Sequence, residues 1–207
     1  MRVDYCQPMA RPRNQRGRRE ALIQATYAAG SKRGLRRLSL TDVAQQAGLT
    51  RGAVLYYYED LDALLVEAHA AGLQRFCADR DAAVAAESDP RRKLDIAFEA
   101  GLPSGPEDAL MRLLLELDVL AGTSALHEEL VQQMDRHQQA TYRAILAAGL
   151  EQGVFRPTMP LEALTLAFVA MEDGFTLQIV ADRIITHDSA LDVMRSAAAG
   201  LGCPVST

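Results

Sequence analysis

The sequence predicts an all-α protein of nine helices, and three observations support this fold class. Apolar residues recur at helical spacing along most of the chain, and no stretch shows the strict alternation that is typical of strands. The composition is 49% hydrophobic but only 5% aromatic, as expected for alanine- and leucine-rich helices. Prolines and glycines separate the periodic segments, where they favour the starts and ends of helices.

The first helix is predicted to follow a flexible basic arm of residues 1–13. Pro8 and Pro12 disfavour an earlier helix start because each lacks a backbone N–H and has a fixed φ. Asn14 is a plausible N-cap. Gly34 is placed to end the helix, because glycine readily adopts the positive φ found at helix C-termini.

The second and third helices are predicted to meet at one sharp corner. Ser39 and Asp42 form a serine–x–x–acid box that favours a helix start. Ala44 is small enough for a close helix crossing, Gly48 can end the helix abruptly, and Val54 points back between the two helices. This pattern predicts a helix-turn-helix of the kind that places one helix in the DNA major groove. The alternative is an ordinary corner between helices of an all-α protein.

Six further helices follow, and their starts are marked by capping residues or by prolines in the first turn, where the missing N–H is harmless. In chain order the predicted starts are Asp60, Asp89-Pro90, Gly105-Pro106, Ser124, Pro160 and Ser189. The predicted ends of the last four helices are Leu120, Gly153, Ala181 and Gly200.

The formal net charge of −5 conceals a division along the chain. Residues 1–60 contain 11 Lys/Arg and 5 Asp/Glu, whereas residues 61–207 contain 11 Lys/Arg and 22 Asp/Glu. A basic N-terminal part on an acidic protein favours phosphate binding at one end only. The charge pattern therefore argues against a protein that coats nucleic acid non-specifically.

The cysteines and the hydropathy pattern indicate a reduced, cytoplasmic protein. Cys6, Cys77 and Cys203 are odd in number and far apart, so they suggest neither a disulfide framework nor a metal site. No uninterrupted apolar run reaches about 18 residues, so the sequence predicts no membrane span. The N-terminal arginines are not followed by the apolar stretch of a secretory signal.

The sequence predicts no catalytic residues, no cofactor and no metal site. It contains no glycine-rich phosphate loop, and His127-Glu128 is followed by Val131 where a metalloprotease helix needs a second histidine. None of the four histidines shows ligand spacing: His69, His127, His137 and His187. An enzyme is therefore not the expected class.

The predicted helix-turn-helix supplies the candidate DNA contacts. The helix starts offer unpaired N–H groups to phosphates, and the Arg51 guanidinium can read a guanine edge. Small residues allow close approach, and tyrosine hydroxyls can donate to phosphates. The candidates are Ser39, Thr41, Thr50, Arg51, Gly52, Ala53, Tyr56 and Tyr57. Tyr58 is expected to face the core, because three consecutive helical residues cannot all face DNA.

Residues 38–65, LSLTDVAQQAGLTRGAVLYYYEDLDALL, resemble the tetracycline-repressor-like (TetR) transcriptional regulators. The resemblance implies a DNA-binding domain over residues 14–60 and an effector-binding and dimerisation domain over residues 61–203. It also implies a homodimer formed through the last two helices. Leu55 replaces a common tyrosine, and Leu61 replaces a lysine that contacts phosphate, so a relative's operator cannot be assumed.

A second stretch is similar to the C-terminal region of the betaine-inhibitor subgroup of that family. It reads EQGVFRPTMPLEALTLAFVAMEDGFTLQIVADR, followed by SALDVMRSAAAGL. The most recognisable element is Asp173, Gly174, Phe175 and Gln178. This resemblance implies a small-molecule effector bound in the C-terminal domain.

Candidate effector residues combine apolar bulk with a few polar groups, although most such residues are expected to form core. They are Phe76, Phe98, Met111, Leu115, Glu116, Val119, Met134, His137, Tyr142, Phe168, Met171, Glu172 and Phe175. Glu116 and Glu172 are the most informative, because a carboxylate in an apolar pattern needs a partner. If these two face a cavity, a cationic or polyhydroxylated effector is expected.

The last two helices are expected to form a two-fold, four-helix interface. Its predicted residues are Leu164, Phe168, Phe175, Ile179, Leu191, Met194, Ala197, Ala198 and Leu201.

The expected function is that of a ligand-responsive repressor that leaves a palindromic operator when a small molecule binds. The alternative is a DNA-binding or protein-interaction module without an effector. The sequence itself does not distinguish repression from activation. The resemblance alone favours repression.

Overall fold

The computed structural model describes residues 12–206, except the side chains of residues 12–14 and 123; over this range it contains nine α-helices, two 3₁₀ helices and no strand. The all-α prediction is therefore confirmed. The α-helices are α1 (Pro12–Arg33), α2 (Leu40–Gln46), α3 (Arg51–Leu55), α4 (Leu61–Ala85), α5 (Pro90–Gly101), α6 (Ala109–Asp118), α7 (Ala125–Glu151), α8 (Leu161–Val180) and α9 (His187–Gly200). The 3₁₀ helices are Leu35–Arg37 and Ala121–Thr123.

The chain forms two compact units, and the boundary between them falls inside α4. Unit 1 ends at Ala68 and contains α1, α2, α3 and the first turns of α4. Unit 2 begins at His69 and contains the remaining helices. Most of the predicted basic arm, residues 1–11, lies outside the described part of the chain.

Unit 1 is held together by a small aliphatic core from all four of its helices. Leu22, Val43, Val54 and Leu64 are fully buried. The Tyr27 hydroxyl donates a hydrogen bond to the main-chain oxygen of Ala68 at 2.8 Å. This bond joins α1 to α4, while Arg19 and Glu67 form an ion pair on the surface of the same two helices.

Unit 2 packs around a cluster of aromatic side chains. Phe98 of α5, Tyr142 of α7 and Phe168 of α8 are all fully buried, with ring centroids 5.1–5.8 Å apart. Leu164 and Met194 extend the same core along α8 and into α9. These contacts fix α5, α7, α8 and α9 around one centre.

Three predicted helix starts were wrong by two to four residues. α1 begins at Pro12 rather than behind a cap at Asn14, because proline is tolerated in a first turn. α6 begins after Asp108, whose side chain accepts a hydrogen bond from the Met111 N–H at 3.1 Å. α9 begins after Thr186, which forms a reciprocal capping box with Ser189, so Ser189 lies inside the first turn.

Helix α8 is long and apolar enough to cross a membrane by length and composition, with a mean hydropathy of 1.4 over its best window. The sequence prediction, which required an uninterrupted apolar run, did not anticipate this. The share of that window buried within the protein is 44%. The helix contributes Phe168 and Ile179 to the core of unit 2, and it also carries the buried Glu172. A helix at the centre of a folded domain is apolar on most sides, just as a membrane-spanning helix is.

The residues predicted to form the two-fold interface lie mainly inside unit 2. Leu164, Phe168, Ile179, Leu191, Met194 and Ala198 are buried in its core, so they are not free to meet another chain. Apolar periodicity alone did not distinguish the inward face of each helix from the outward one. The large apolar residues that α8 and α9 expose are Leu166, Leu177 and Val193.

Candidate functional site

The start of α2 is fixed by the predicted capping box. The Asp42 N–H donates to the Ser39 hydroxyl oxygen at 3.3 Å, and the Ser39 N–H donates to the Asp42 carboxylate at 3.0 Å. The Ser39 hydroxyl also donates to that carboxylate at 2.6 Å. These bonds and Arg33, whose Nε lies 3.2 Å from the carboxylate, lower the pKa of Asp42. Asp42 therefore stays ionised and holds the helix start in place.

The turn into α3 has the geometry that the sequence predicted. Gly48 has φ +67°, a conformation that residues with a Cβ rarely adopt. Thr50 caps α3 by accepting a hydrogen bond from the Ala53 N–H at 3.2 Å. Ala44 and Val54 are buried where α2 and α3 meet. The pair of helices therefore forms a compact helix-turn-helix with one outward face.

The candidate DNA residues occupy this outward face. Ser39, Thr41, Thr50, Arg51, Gly52 and Tyr56 are exposed, whereas Ala53 and Tyr57 are partly buried. The rings of Tyr56 and Tyr57 meet edge to face at 5.0 Å. Tyr58 is only 3% exposed, so the expectation that it faces the core is confirmed. Leu55 is exposed beside Tyr56 and contributes an apolar side chain to the same surface.

Unit 2 contains a cavity of about 280 Å³ between α4, α6, α7 and α8. Its walls are largely apolar, with a group of carboxylates on one side. The lining residues are Leu73, Phe76, Gly101, Met111, Leu114, Leu115, Asp118, Val131, Met134, Asp135, Gln138, Glu172, Asp173 and Thr176. No lysine, arginine or histidine is among these described lining residues.

Five of the candidate effector residues line this cavity: Phe76, Met111, Leu115, Met134 and Glu172. The other eight do not. Phe98, Tyr142 and Phe168 lie in the closed core, and Met171 and Phe175 pack against it. Val119 is 68% exposed, and Glu116 is half-buried and does not line the cavity. The His137 Nε2 lies 3.0 Å from the Asp81 carboxylate. Each has the expected helical spacing but lies on a different face from the cavity.

Glu172, which lines the cavity, belongs to a buried ion pair. Arg80 of α4 and Glu172 of α8 are each 1% exposed, and two N–H groups of the guanidinium donate to the carboxylate at 3.0 and 2.8 Å. The Tyr142 hydroxyl donates to the same carboxylate at 2.5 Å and the Gln138 amide at 2.9 Å. A Cβ on Gly101 would lie 2.5 Å from the carboxylate, so glycine leaves the space that Glu172 occupies.

This environment affects the pKa values of Arg80 and Tyr142. Burial lowers the pKa of Arg80, but the nearby Glu172 carboxylate outweighs this effect and raises the pKa above its usual value. Burial and the neighbouring Glu172 also raise the pKa of Tyr142 well above its usual value. Tyr142 therefore remains a neutral hydrogen-bond donor to the side chain of Glu172.

Arg80 was not among the residues that the sequence predicted for this site. A signal was available, because Arg80 follows Leu73, Phe76 and Cys77 on the apolar stripe of α4. A charged residue on an apolar stripe needs a buried partner of opposite charge. Glu172 was already identified as a carboxylate in need of a partner, so the two could have been paired.

Three carboxylates form the open, exposed side of the cavity: Asp118, Asp135 and Asp173. Partial burial, together with repulsion by Glu172, Asp135 and Asp118, raises the pKa of Asp173 to about 6, although a hydrogen bond from Gln138 lowers it. Partial burial and Asp118 likewise raise the pKa of Asp135. A positive charge placed among these groups would relieve their mutual repulsion.

The structure also brings together two histidines that are distant in sequence. His69 and His127 are fully buried, with their Nδ1 atoms 2.9 Å apart and their rings stacked at 5.2 Å. The Asp118 carboxylate lies 3.6 Å from the Nε2 atom of His69. Among the described residues, no group of three or more potential ligands is arranged to hold a metal ion.

Comparison with known protein families assigns both units. Residues 22–68 match the family model for bacterial regulatory proteins of the tetR family. Residues 90–202, more than half of the chain, match the model for the C-terminal region of BetI-type transcriptional repressors. The chain belongs to the TetR family. The match confirms the resemblance that the helix-turn-helix segment suggested, and this TetR-family protein is a DNA-binding transcriptional regulator.

Solved structures of other regulators share the fold of this TetR-family chain. A TetR transcription regulator from Haloarcula marismortui is 25% identical, with a TM-score of 0.76 over 92% of this chain and 97% of that one. A transcriptional regulator from Saccharomonospora viridis, solved in complex with choline, is 19% identical, with a TM-score of 0.82 over 89% and 96% of the two chains. None of the curated proteins compared with the chain matches it.

Proposed function

We propose that this TetR-family regulator is a repressor that is released from a palindromic operator when a small organic cation occupies the cavity of unit 2. The observation that carries the proposal is the cavity itself, with apolar walls, an exposed carboxylate side and no basic lining residue among those described. Its domains would be a basic arm over residues 1–13, a DNA-binding domain over residues 14–60 and an effector domain over residues 61–203. Because its partner is genomic DNA, the proposed location is the cytoplasm.

The outward face of the helix-turn-helix supports DNA contact through residues 39–57. Arg51 is exposed at the first position of α3, next to Gly52, whose lack of a side chain allows the backbone to approach a base edge. Tyr56 is 68% exposed, and its hydroxyl is positioned to donate to a phosphate. Ser39 and Thr50 use their hydroxyl oxygens as helix caps, so their proposed role is to hold the two helices that approach DNA.

We expect Arg51→Ala to weaken operator binding by about tenfold or more, because one charge-assisted contact is lost from each half-site. The slope of log K against log salt should also become shallower by about 1–2, since fewer counterions are released. Fluorescence polarisation at several salt concentrations measures both effects. Arg75→Ala is the matched control, because Arg75 is an exposed arginine of unit 2 paired only with Asp79. Equal binding by the wild type and Arg51→Ala would remove Arg51 from the interface.

The electrostatics of the cavity favour a cation as the effector. Glu172 is neutralised by Arg80, but no lysine, arginine or histidine joins Asp118, Asp135 and Asp173 among the described residues that line the cavity. The structurally similar regulator from Saccharomonospora viridis was solved with choline, which is an organic cation. A ligand of this charge would gain attraction from the carboxylates and apolar contact from residues such as Phe76 and Met111.

Cation affinity should depend on pH because the pKa of Asp173 is about 6. Its carboxyl group is ionised at higher pH and becomes neutral as the pH falls through this value, so the affinity for a non-titrating cation should decrease below about pH 6. Calorimetric titrations from about pH 8 down to about pH 5 measure this dependence. Asp173→Asn should show weaker binding with a flatter profile. A wild-type profile as flat as that of the variant would contradict a role for Asp173.

The proposed homodimer forms through α8 and α9, as is typical of the family. Leu166 and Leu177 are exposed on α8, and they are 11 residues apart, which places them on one side of the helix. Val193 is exposed on α9. These three side chains replace the buried residues of the sequence prediction as the proposed apolar contacts.

The proposed response to a ligand passes through α4, which belongs to both units. Leu64 lies in the core of unit 1, whereas Leu73 and Phe76 of the same helix line the cavity. A cation that shifts the walls of the cavity would therefore displace the later turns of a helix whose first turns stabilise the DNA-binding unit. Only a ligand with different affinities for the two states can produce this change.

The decisive experiment combines DNA binding with a cation screen. Fluorescence polarisation with the protein's own upstream intergenic DNA, and with a random duplex as control, should show tight binding to the upstream DNA alone. Adding small organic cations should then release that DNA. Equal and weak binding to both duplexes would contradict sequence-specific regulation at that site. Tight binding that no cation releases would favour a DNA-binding protein without a cationic effector.

A further inference from the structure

We propose that the cavity selects organic cations that carry N–H groups, with a short aliphatic diamine as its ligand, and that it discriminates against quaternary ammonium ions. This inference rests on the proposed function, in which the cavity holds a cationic effector. It concerns which atoms recognise the cation. The argument uses a buried amide, the number of carboxylates, the scarcity of aromatic rings and the size of the cavity.

The buried amide of Gln138 leaves a hydrogen-bond acceptor on the cavity wall. Its Nε2 donates to the Glu172 carboxylate at 2.9 Å and to the Asp173 carboxylate at 3.2 Å, so both N–H groups are used. Gln138 is only 4% exposed and lines the cavity. Within the described part of the chain, no donor bonds to its Oε1. The orientation of the amide therefore leaves an acceptor for a donor on the ligand.

The charged groups at the open side accept hydrogen bonds but donate none. The carboxyl groups of Asp118, Asp135 and Asp173 contribute six oxygens. Among the described lining residues, Thr176 is the one whose side chain can donate and makes no hydrogen bond within the described part of the chain. Three carboxylates beside one cavity favour a ligand with two positive charges over a ligand with one, because each positive charge offsets part of the repulsion among the carboxylates. An ammonium group supplies three N–H donors, whereas a trimethylammonium group supplies none.

Quaternary ammonium ions are recognised chiefly by cages of several aromatic faces, and the described lining of this cavity supplies one aromatic ring. Phe76 is the only aromatic residue among the described residues that line it, and the chain contains no tryptophan. The Arg80 guanidinium already lies 6.0 Å from the centre of the Phe76 ring. A second cation on that ring would lie close to a buried positive charge. The cavity therefore offers hydrogen bonds in place of an aromatic cage.

The volume of the cavity restricts the length of the ligand. At about 280 Å³ it lies just below the usual range for small-molecule sites, which is about 300–1,000 Å³. Leu73, Met111, Leu114 and Met134 provide apolar walls for a short methylene chain. An aliphatic diamine combines such a chain with two donor-rich charges.

Isothermal titration of the full-length protein with two matched probes tests this selectivity. The probes are putrescine and its bis-trimethylammonium analogue, which have the same four-carbon chain and the same charge. Putrescine should bind at least about tenfold more tightly, because the analogue cannot make the charge-assisted hydrogen bonds. Ethanolamine and choline form a second pair, in which ethanolamine should bind more tightly.

Two variants identify the atoms responsible. Asp135→Asn should weaken putrescine binding by about tenfold while leaving the bis-trimethylammonium analogue less affected, because Asp135 is proposed to accept N–H groups. Gln138→Met removes the Oε1 acceptor and should reduce the preference for putrescine. Gln138 is buried, so Gln138→Met can destabilise the fold. Asp135 is exposed, so Asp135→Asn should fold normally and its binding data can decide the test. Asp79→Asn is the control, since Asp79 is an exposed carboxylate of α4 that does not line the cavity.

The outcomes separate this inference from the proposed function. If putrescine binds more tightly than its analogue and Asp135→Asn weakens that binding, both the selectivity and the cationic effector are supported. Equal or tighter binding of the quaternary analogue, or of choline over ethanolamine, overturns the selectivity but leaves a cationic effector in place. If none of the four cations binds, the proposed cationic effector fails together with the inference.

Discussion

Replacing Glu172 with alanine is expected to lower the free energy of unfolding by about 3–5 kcal/mol. The substitution leaves the Arg80 guanidinium buried without its counter-charge and removes the acceptor of the Tyr142 and Gln138 hydrogen bonds. It also opens space beside Gly101, where the carboxylate lies. Urea unfolding followed by circular dichroism measures the change in free energy.

The double variant Arg80→Met/Glu172→Leu provides the control for this prediction. When both charges are replaced by apolar side chains of similar size, most of the lost stability should return, because neither partner is left as an isolated buried charge. A single variant that loses less than about 1 kcal/mol would show that water reaches the pair. A double variant as unstable as Glu172→Ala would show that packing, and not charge, determines the loss.

Gly202→Ala is expected to destabilise the protein by about 3 kcal/mol or more, because it combines backbone strain with a steric clash. Gly202 has φ +85°, and an added Cβ would lie 1.9 Å from the main-chain oxygen of Arg156. The clash occurs where the Arg156 N–H donates to the Gly202 oxygen at 2.8 Å, so it would also disturb that hydrogen bond. Thermal and urea unfolding measure the loss.

Gly153→Ala is the matched control for the steric part of this effect. Gly153 has a similar φ of +71°, but an added Cβ there would meet nothing within 4 Å. This variant should cost about 1–2 kcal/mol from backbone strain alone. If the two variants lose equal stability, the contact with Arg156 is relieved by a shift of the chain and the steric argument is wrong.

The fold class was predictable from the sequence because its signals are local. The capping box of Ser39 and Asp42 and the proline start at Asp89-Pro90 each satisfy backbone groups within four residues, so their effect needs no tertiary information. The starts of α6 and α9 were less predictable. Asp108 and Thr186 compete with nearby prolines and serines as caps, and the choice between them depends on how the preceding loop packs.

The cavity was less predictable than the helices that surround it. Phe98 and Phe168 have the same helical spacing as Phe76 and Met134, but the first two fill the core and the last two face the cavity. Apolar periodicity identifies the inward side of a helix, and it cannot show where packing leaves a space. The exposed carboxylates of Asp118 and Asp135 resemble ordinary surface charges until the fold places them beside that space.

The Arg80–Glu172 pair has a mechanical consequence for any conformational response. Arg80, Glu172 and Tyr142 belong to α4, α8 and α7, so one carboxylate ties three helices together at a single point. A slide of α4 along α8 by one helical turn, about 5.4 Å, would separate the two charges and bury both without partners. Sliding of this kind is therefore strongly disfavoured, whereas pivoting of α4 about this point would keep the pair intact. A ligand near the pivot would produce its largest displacement at the ends of the helix.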